Sequence, residues 1–184
     1  LRRRSREALA PLERVERGEA MRVSHAQRRQ WFVWQLPGLR QAYQISSGLR
    51  LEGELDRVAL RRALDDLVAR HESLRTSFAE HEGEVVQRIS AAGVFALTEE
   101  DLSGSEDAEQ LLHQIEQQES AQGFDLQRGP LIRGRLVRIS AHEHVLLVRM
   151  HHIISDGWSM GVLMREFGAL YAAYRARGSA QGVL

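Results

Sequence analysis

Cysteine is absent from this chain. That excludes disulfides and cysteine-based zinc sites, and it fits a reducing, cytoplasmic setting. Proline occurs only 3 times: Pro37 and Pro130 fall at a helix end and a turn, and Pro11 lies in the charged opening stretch. An excess of one charge is also missing: 25 basic residues face 25 acidic ones. A neutral chain gives no electrostatic reason to expect nucleic acid or an anionic membrane as partner. Its one dense basic cluster, Arg2–Arg4 with Arg6, reads as a solvated tail. No apolar run approaches the ~18 residues of a membrane-spanning helix, and no signal peptide is visible.

What remains is a chain of 184 residues, suited to one domain or to one lobe of something larger. Residues 1–22 are charged and poorly periodic, and read as an interdomain linker within a larger polypeptide. Residues 23–184 read as the folded part. Ser24-His25-Ala26-Gln27 has the Ser-x-x-Gln spacing of a capping box, so a helix is expected through Trp31 and Leu36, ended by Pro37-Gly38. Tyr43–Gly53 alternates as a strand does. Asp56–His71 is the clearest amphipathic helix, with Leu60, Ala63, Leu64, Leu67 and Val68 on one stripe and Asp56 as its N-cap.

Beyond it, Leu74–Phe78 and Val85–Ile89 suggest a hairpin across His81–Glu84, and Val94–Leu97 a short strand. Ser105–Gln122 is a polar helix with Leu111, Leu112 and Ile115 on its apolar side. Leu131–Ile139 alternates, whereas Val145–His151 is almost continuously apolar, as a central strand covered on both faces would be. Trp158–Arg177 keeps helical spacing to Gly178. Mixed strands and helices point to an α/β two-layer sandwich with a mixed sheet.

Chemistry concentrates at Met150–Ser159, MHHIISDGWS. Adjacent strand residues face opposite sides, so one of His151 and His152 can look into a pocket while the other is packed. Opposite faces argue against a shared metal ion, and no metal site is expected. The following helix begins near Gly157, a residue that tolerates φ > 0 and close approach of another group. Free amides at a helix start can stabilise a developing oxyanion, and an imidazole beside them suits acyl transfer. Asp156 has two readings: N-cap of that helix, or a buried carboxylate paired with Arg75. A histidine at a strand end is also an ordinary core or surface residue, so the residues alone leave the catalytic reading open.

The stretch His151-His152-Ile153-Ile154-Ser155-Asp156-Gly157 matches the His-His-x-x-x-Asp-Gly signature of the condensation domains of non-ribosomal peptide synthetases. Three further blocks resemble that family in order. They are Ser24–Trp31 (Ser-x-Ala-Gln-x-x-x-Trp), Arg70–Phe78 (Arg-His-Glu-x-Leu-Arg-Thr-x-Phe) and Phe124–Leu131. Heterocyclisation members carry aspartates for the histidines, and dual epimerisation-condensation members carry an extra histidine motif near the start. The Asp-Gly-Trp-Ser-Met context most resembles members that take L-configured donors.

The resemblance implies one lobe of a chloramphenicol acetyltransferase-like fold, two lobes forming a V around the active site. It implies amide bond formation between an aminoacyl or peptidyl thioester donor and an aminoacyl amine acceptor. Both substrates would ride on the phosphopantetheine arms of upstream and downstream peptidyl carrier proteins, with an adenylation domain adjacent and no cofactor bound directly. His152 would be the active-site histidine, as general base or as the group that positions the amine. His151 and Asp156 would be structural, with Arg75 supporting Asp156. Gly157 would line the donor tunnel and help the oxyanion, and Trp158 and Ser159 would line the pocket. Family members are about twice as long, so the carboxy-terminal lobe is expected to be absent here. The lobe alone would then be inactive and would expose apolar groups where its partner belongs. Two other readings stay open: a non-catalytic carrier-docking module, and a stand-alone acyltransferase that trimerises.

Overall fold

A computed structural model describes residues 21–184; most of the expected linker lies outside the described residues. Its last two residues, Met21–Arg22, form a short strand β1. The chain continues through α1 (His25–Gln35), β2 (Gln44–Glu52) and α2 (Arg57–Arg70). After a 3-10 turn (Glu72–Arg75) come β3 (Thr76–His81), β4 (Glu84–Ile89), β5 (Ala96–Asp101) and α3 (Ala108–Ala121). The last elements are β6 (Ile132–Ser140), β7 (Glu143–His151) and α4 (Gly157–Arg177).

The larger sheet has the order β2-β7-β6-β5, with β5 parallel to β6 and the other pairs antiparallel. This is the expected mixed sheet. β7 lies inside it, and every residue from His144 to His151 is buried. Parity along β7 explains why its sequence does not alternate. Leu146, Val148 and Met150 enter the main core with Leu60, Leu64, Leu67 of α2 and Leu163, Phe167, Leu170 of α4. Val145 and Leu147 face a smaller core with Leu112 and Ile115 of α3. The helix α3 thus covers part of the second face, and a strand buried on both faces needs apolar residues at both parities.

Local sequence starts the helices as expected. Ser24 Oγ accepts the Gln27 amide at 3.2 Å, and Gln27 Oε1 accepts the Ser24 amide at 2.8 Å. Asp56 Oδ1 accepts the amides of Val58 and Ala59. β1, β4 and β3 make a second, antiparallel sheet. Its β3 register begins only after the 3-10 turn, so the extended segment starts at Thr76 instead of the anticipated Leu74.

The end of α3 is tied to the large sheet. Arg149, on β7 and 4% exposed, donates to Ser120 O and Gln122 O, among the last carbonyls of the helix. Arg133 of β6 donates to Gln122 O and Gly123 O. Glu119 lies among these cations, 2.7 Å from Arg135. Guanidinium groups at a helix C-terminus satisfy its orphan carbonyls and match its dipole. This anchoring fixes where the chain emerges at Phe124.

Candidate active site

The two histidines part company at the end of β7. His151 is the last strand residue, 1% exposed. Its Nδ1 accepts the amide of Ile153 at 3.1 Å, which leaves the ring proton on Nε2. Phe124 meets the His151 ring edge to face, with centroids 6.3 Å apart. Phe124 is itself held on two sides: Trp34 Nε1 donates to its carbonyl at 2.8 Å, and the Arg133 guanidinium sits 4.4 Å over its ring. Burial pushes the His151 pKa down from 6.5 to about 4, and the neighbouring His152 adds to the shift. His151 is therefore a neutral packing residue at physiological pH.

His152 lies one residue beyond the strand, exposed. Its amide donates to Tyr43 O at 2.7 Å. Tyr43 precedes β2, whose first residue Gln44 pairs with His151, so the carbonyl that receives His152 continues the β2–β7 ladder. Tyr43 adopts φ 59, a region non-glycine residues seldom occupy, and so turns the chain as it enters the sheet. His152 lines an open groove of about 560 Å³ between α1 and the start of α4, with Ser24, Gln27, Arg29, Gln30, Ser155 and Asp156.

Asp156 is the N-cap of α4. Its Oδ1 accepts Ser159 N at 2.8 Å and Ser159 Oγ at 2.7 Å. The Ser159 hydroxyl, then the Ser159 amide, hold the Asp156 carboxyl below the usual carboxylate range. Of its two sequence readings, the cap is the one formed. The pairing with Arg75 is not: Arg75 donates to Ser90 O and lies 3.5 Å from Glu72. The physical reason is position. Arg75 ends the 3-10 turn at the base of the β3–β4 hairpin, and its own carbonyl accepts Ser90 N at 3.1 Å. Its guanidinium is used to close that hairpin.

Gly157 is the first residue of α4, and it is not among the glycines with positive φ. The conformational freedom anticipated for it is unused. What it supplies is room, because nothing lies within 4 Å of where a Cβ would stand. Trp158 is 84% exposed and lies beside a second, smaller cavity of about 140 Å³, not in the His152 groove. Ser155, Ser159 and Ile154 separate the two cavities and line both.

The structure thus brings His152, Asp156 and Ser159 to one groove, packs His151 away from it against Phe124, and leaves Arg75 apart. It adds three residues to the site: Tyr43, Phe124 and Gln27, whose Nε2 lies 3.3 Å from Ile153 O. Gln27 was legible as a cap and as part of the Ser24–Trp31 block, and Tyr43 only as a strand start. Their roles depend on the register of β2 against β7 and on the approach of α1, which no local pattern encodes.

Comparison with known proteins converges on one group. The family model described as Condensation domain matches residues 18–181. The chain is 44% identical over 163 residues to malpibaldin synthetase of Mortierella alpina, covering 88% of this chain and 3% of that protein. It is 43% identical over 162 residues to a linear gramicidin synthase polypeptide of Brevibacillus parabrevis, covering 87% of this chain and 2% of that protein. Among solved structures, the X-domain complex with OxyB from teicoplanin biosynthesis superposes with TM-score 0.79 at 37% identity, over 90% of this chain and 35% of that one. The starter condensation domain of the rhizomide synthetase superposes with TM-score 0.81 at 22% identity, over 87% of this chain and 39% of that one. The fold is shared with these domains, and the chain spans only a small part of its relatives' length.

Proposed function

This chain belongs to the condensation-domain family of non-ribosomal peptide synthetases, and from that premise we propose that it forms one lobe of a site that makes peptide bonds between carrier-bound substrates. The donor is an aminoacyl or peptidyl thioester, and the acceptor is the free amine of an aminoacyl thioester. Each is presented on the phosphopantetheine arm of a peptidyl carrier protein. The observation that carries this reading is the division of labour between two adjacent histidines: His151 is buried and neutral, and His152 is exposed in a groove.

In this reading the amine of the acceptor meets His152 at the groove. The imidazole accepts a proton from the nitrogen, or holds the nitrogen by a hydrogen bond, as it attacks the thioester carbonyl. The C–N bond forms, the carbonyl oxygen gains charge, and the intermediate collapses with loss of the donor thiolate. The expelled thiolate of the donor arm takes up the proton removed from the amine and becomes the free thiol, and the lengthened chain stays on the acceptor carrier. The first turn of α4 projects amides from its N-terminus near the site, favourable for a developing oxyanion. Asp156 has already taken the amide of Ser159, so the Gly157 end of that turn is the part offered to substrate. Trp158, exposed at the same turn, would line the approach of the donor.

The remaining wall of the site belongs to a second lobe, and the isolated lobe is inactive in this reading. Phe32, Leu36, Leu39 and Tyr43 are exposed, as expected of apolar residues on a surface that meets it. A direct test supplies the intact synthetase with loaded donor and acceptor carriers and detects the lengthened thioester by mass spectrometry. The reading requires product only when both carriers are loaded. Product without an acceptor amine would contradict it.

A further inference from the structure

A capping box needs only an acceptor at its third helical position, and Glu serves there as well as Gln. Gln27 does more than cap. Its Oε1 is engaged by Ser24 N at 2.8 Å. That fixes the opposite end of the amide as the donor, and its two protons have two acceptors: Ile153 O at 3.3 Å and Gln87 Oε1 at 3.4 Å. Gln87 is oriented in turn, because its Nε2 donates to Arg22 O at 2.9 Å. A chain of hydrogen bonds therefore runs from the β1–β4 pair, through the first turn of α1, to the residue that follows His152.

The main chain around His152 is held at three points. Its own amide is bound by Tyr43 O at 2.7 Å. The amide of Ile153 is bound by His151 Nδ1 at 3.1 Å. The carbonyl of Ile153 is bound by Gln27. The first two partners belong to the β2–β7 ladder on which the histidine rides. Gln27 is different, since it comes from α1 on the far wall of the groove and lies 126 residues away in sequence. The buried Ile153 side chain, 4% exposed, prevents the peptide from turning away to find water.

We propose that Gln27 is a positioning residue for His152: its amide nitrogen ties the histidine loop to α1 and so sets the distance between the imidazole and the opposite wall of the groove. The proposal rests on the reading of His152 as the condensing histidine. It assigns to the α1 start a role that is separable from capping, because the two ends of one amide serve the two purposes.

Gln27→Glu separates them. The carboxylate retains the acceptor for Ser24 N but brings an oxygen against Ile153 O where a donor stood. Ser24→Ala does the converse, removing the Oγ cap while Gln27 keeps its nitrogen. In the intact polypeptide, amide hydrogen exchange followed by mass spectrometry is expected to accelerate in Gln27→Glu at residues 152–154, by roughly fivefold for loss of one part-buried hydrogen bond. The α1 amides keep their protection. In Ser24→Ala the α1 start exchanges faster and residues 152–154 do not. Condensation by Gln27→Glu shows a lowered kcat with unchanged KM for the loaded carriers.

Unaltered exchange at 152–154 in Gln27→Glu overturns the proposal, as does equal loosening of that loop in both variants. His152→Ala is assayed alongside. If it condenses as fast as the unmodified protein while exchange in Gln27→Glu still accelerates, the tether exists but the reading of His152 fails, and the positioning role falls with it.

Discussion

His151 Nδ1 accepts the amide of Ile153 at 3.1 Å, and that bond, together with burial, sets His151 apart from the exposed His152. A ring nitrogen that must accept an amide proton cannot itself be protonated. The same bond shapes the turn that carries His152 into the groove.

It follows that folding is coupled to the charge of His151. Its folded-state pKa lies near 4, below its ordinary 6.5, so the unfolded chain binds this proton first. The stabilisation is complete above about pH 6.5 and is lost as pH falls toward 4, amounting to ~3 kcal/mol over that window. Urea unfolding between pH 4 and 8 measures it. His151→Asn, which can still accept the Ile153 amide through Oδ1, should flatten this part of the profile. An unchanged profile would mean that His151 is not the group responsible.

Asp156 and Arg75 should behave as residues of separate structures. Asp156→Ala removes the α4 cap and should cost about 1 kcal/mol, while Asp156→Asn should cost less. Arg75→Ala should weaken the base of the β3–β4 hairpin and leave the loop at residues 152–156 unchanged. A double-mutant cycle on thermal stability checks this, with a coupling energy within about 0.5 kcal/mol of zero expected. A coupling well beyond that would restore the pairing that the sequence suggested.

Two glycines make opposite predictions. A Cβ at Gly134 would fall 2.8 Å from the Phe95 ring and 3.0 Å from Leu147 O, in the tightly packed first half of β6. Gly134→Ala should therefore destabilise by about 1–3 kcal/mol, since the backbone oxygen cannot yield. Gly157→Ala meets nothing within 4 Å and should fold as well as the unmodified protein. Any loss of activity in Gly157→Ala would then report crowding of the site, and differential scanning calorimetry with an activity assay separates the two effects.

Phe124 should be the costliest single truncation near the site. It is 3% exposed, and its ring meets His151 and Arg133. Phe124→Ala is expected to lose about 3–5 kcal/mol in chemical denaturation. A loss under about 1 kcal/mol would show that this corner of the core is not closed as described.

Much of this arrangement was legible in the chain. The Ser24 capping box, the α2 stripe and the apolar run of β7 are local patterns, and local hydrogen bonds and burial reproduce them. β5 was harder to read. Its strand is Ala96–Asp101, displaced toward the acidic Thr98-Glu99-Glu100-Asp101, while Val94 is 72% exposed. Acidic residues at a sheet edge read as a loop until their partners are seen: Glu100 meets Arg135 at 2.8 Å and Asp101 meets Arg138 at 3.1 Å on β6. The failed Arg75–Asp156 pairing has a similar origin. The sequence contains both charges but not the hairpin closure that claims the arginine. His152 could be singled out from its motif, whereas Gln27 and Tyr43 emerge as its supports only once α1 and β2 are in place.

The most direct measurement compares dipeptidyl-thioester formation by the intact synthetase before and after His152→Ala, with both carriers loaded and folding verified by circular dichroism. The account predicts a loss of about 10²-fold or more in the rate, as for removal of a general acid–base or positioning group. A folded His152→Ala protein that forms product at the unmodified rate would contradict it.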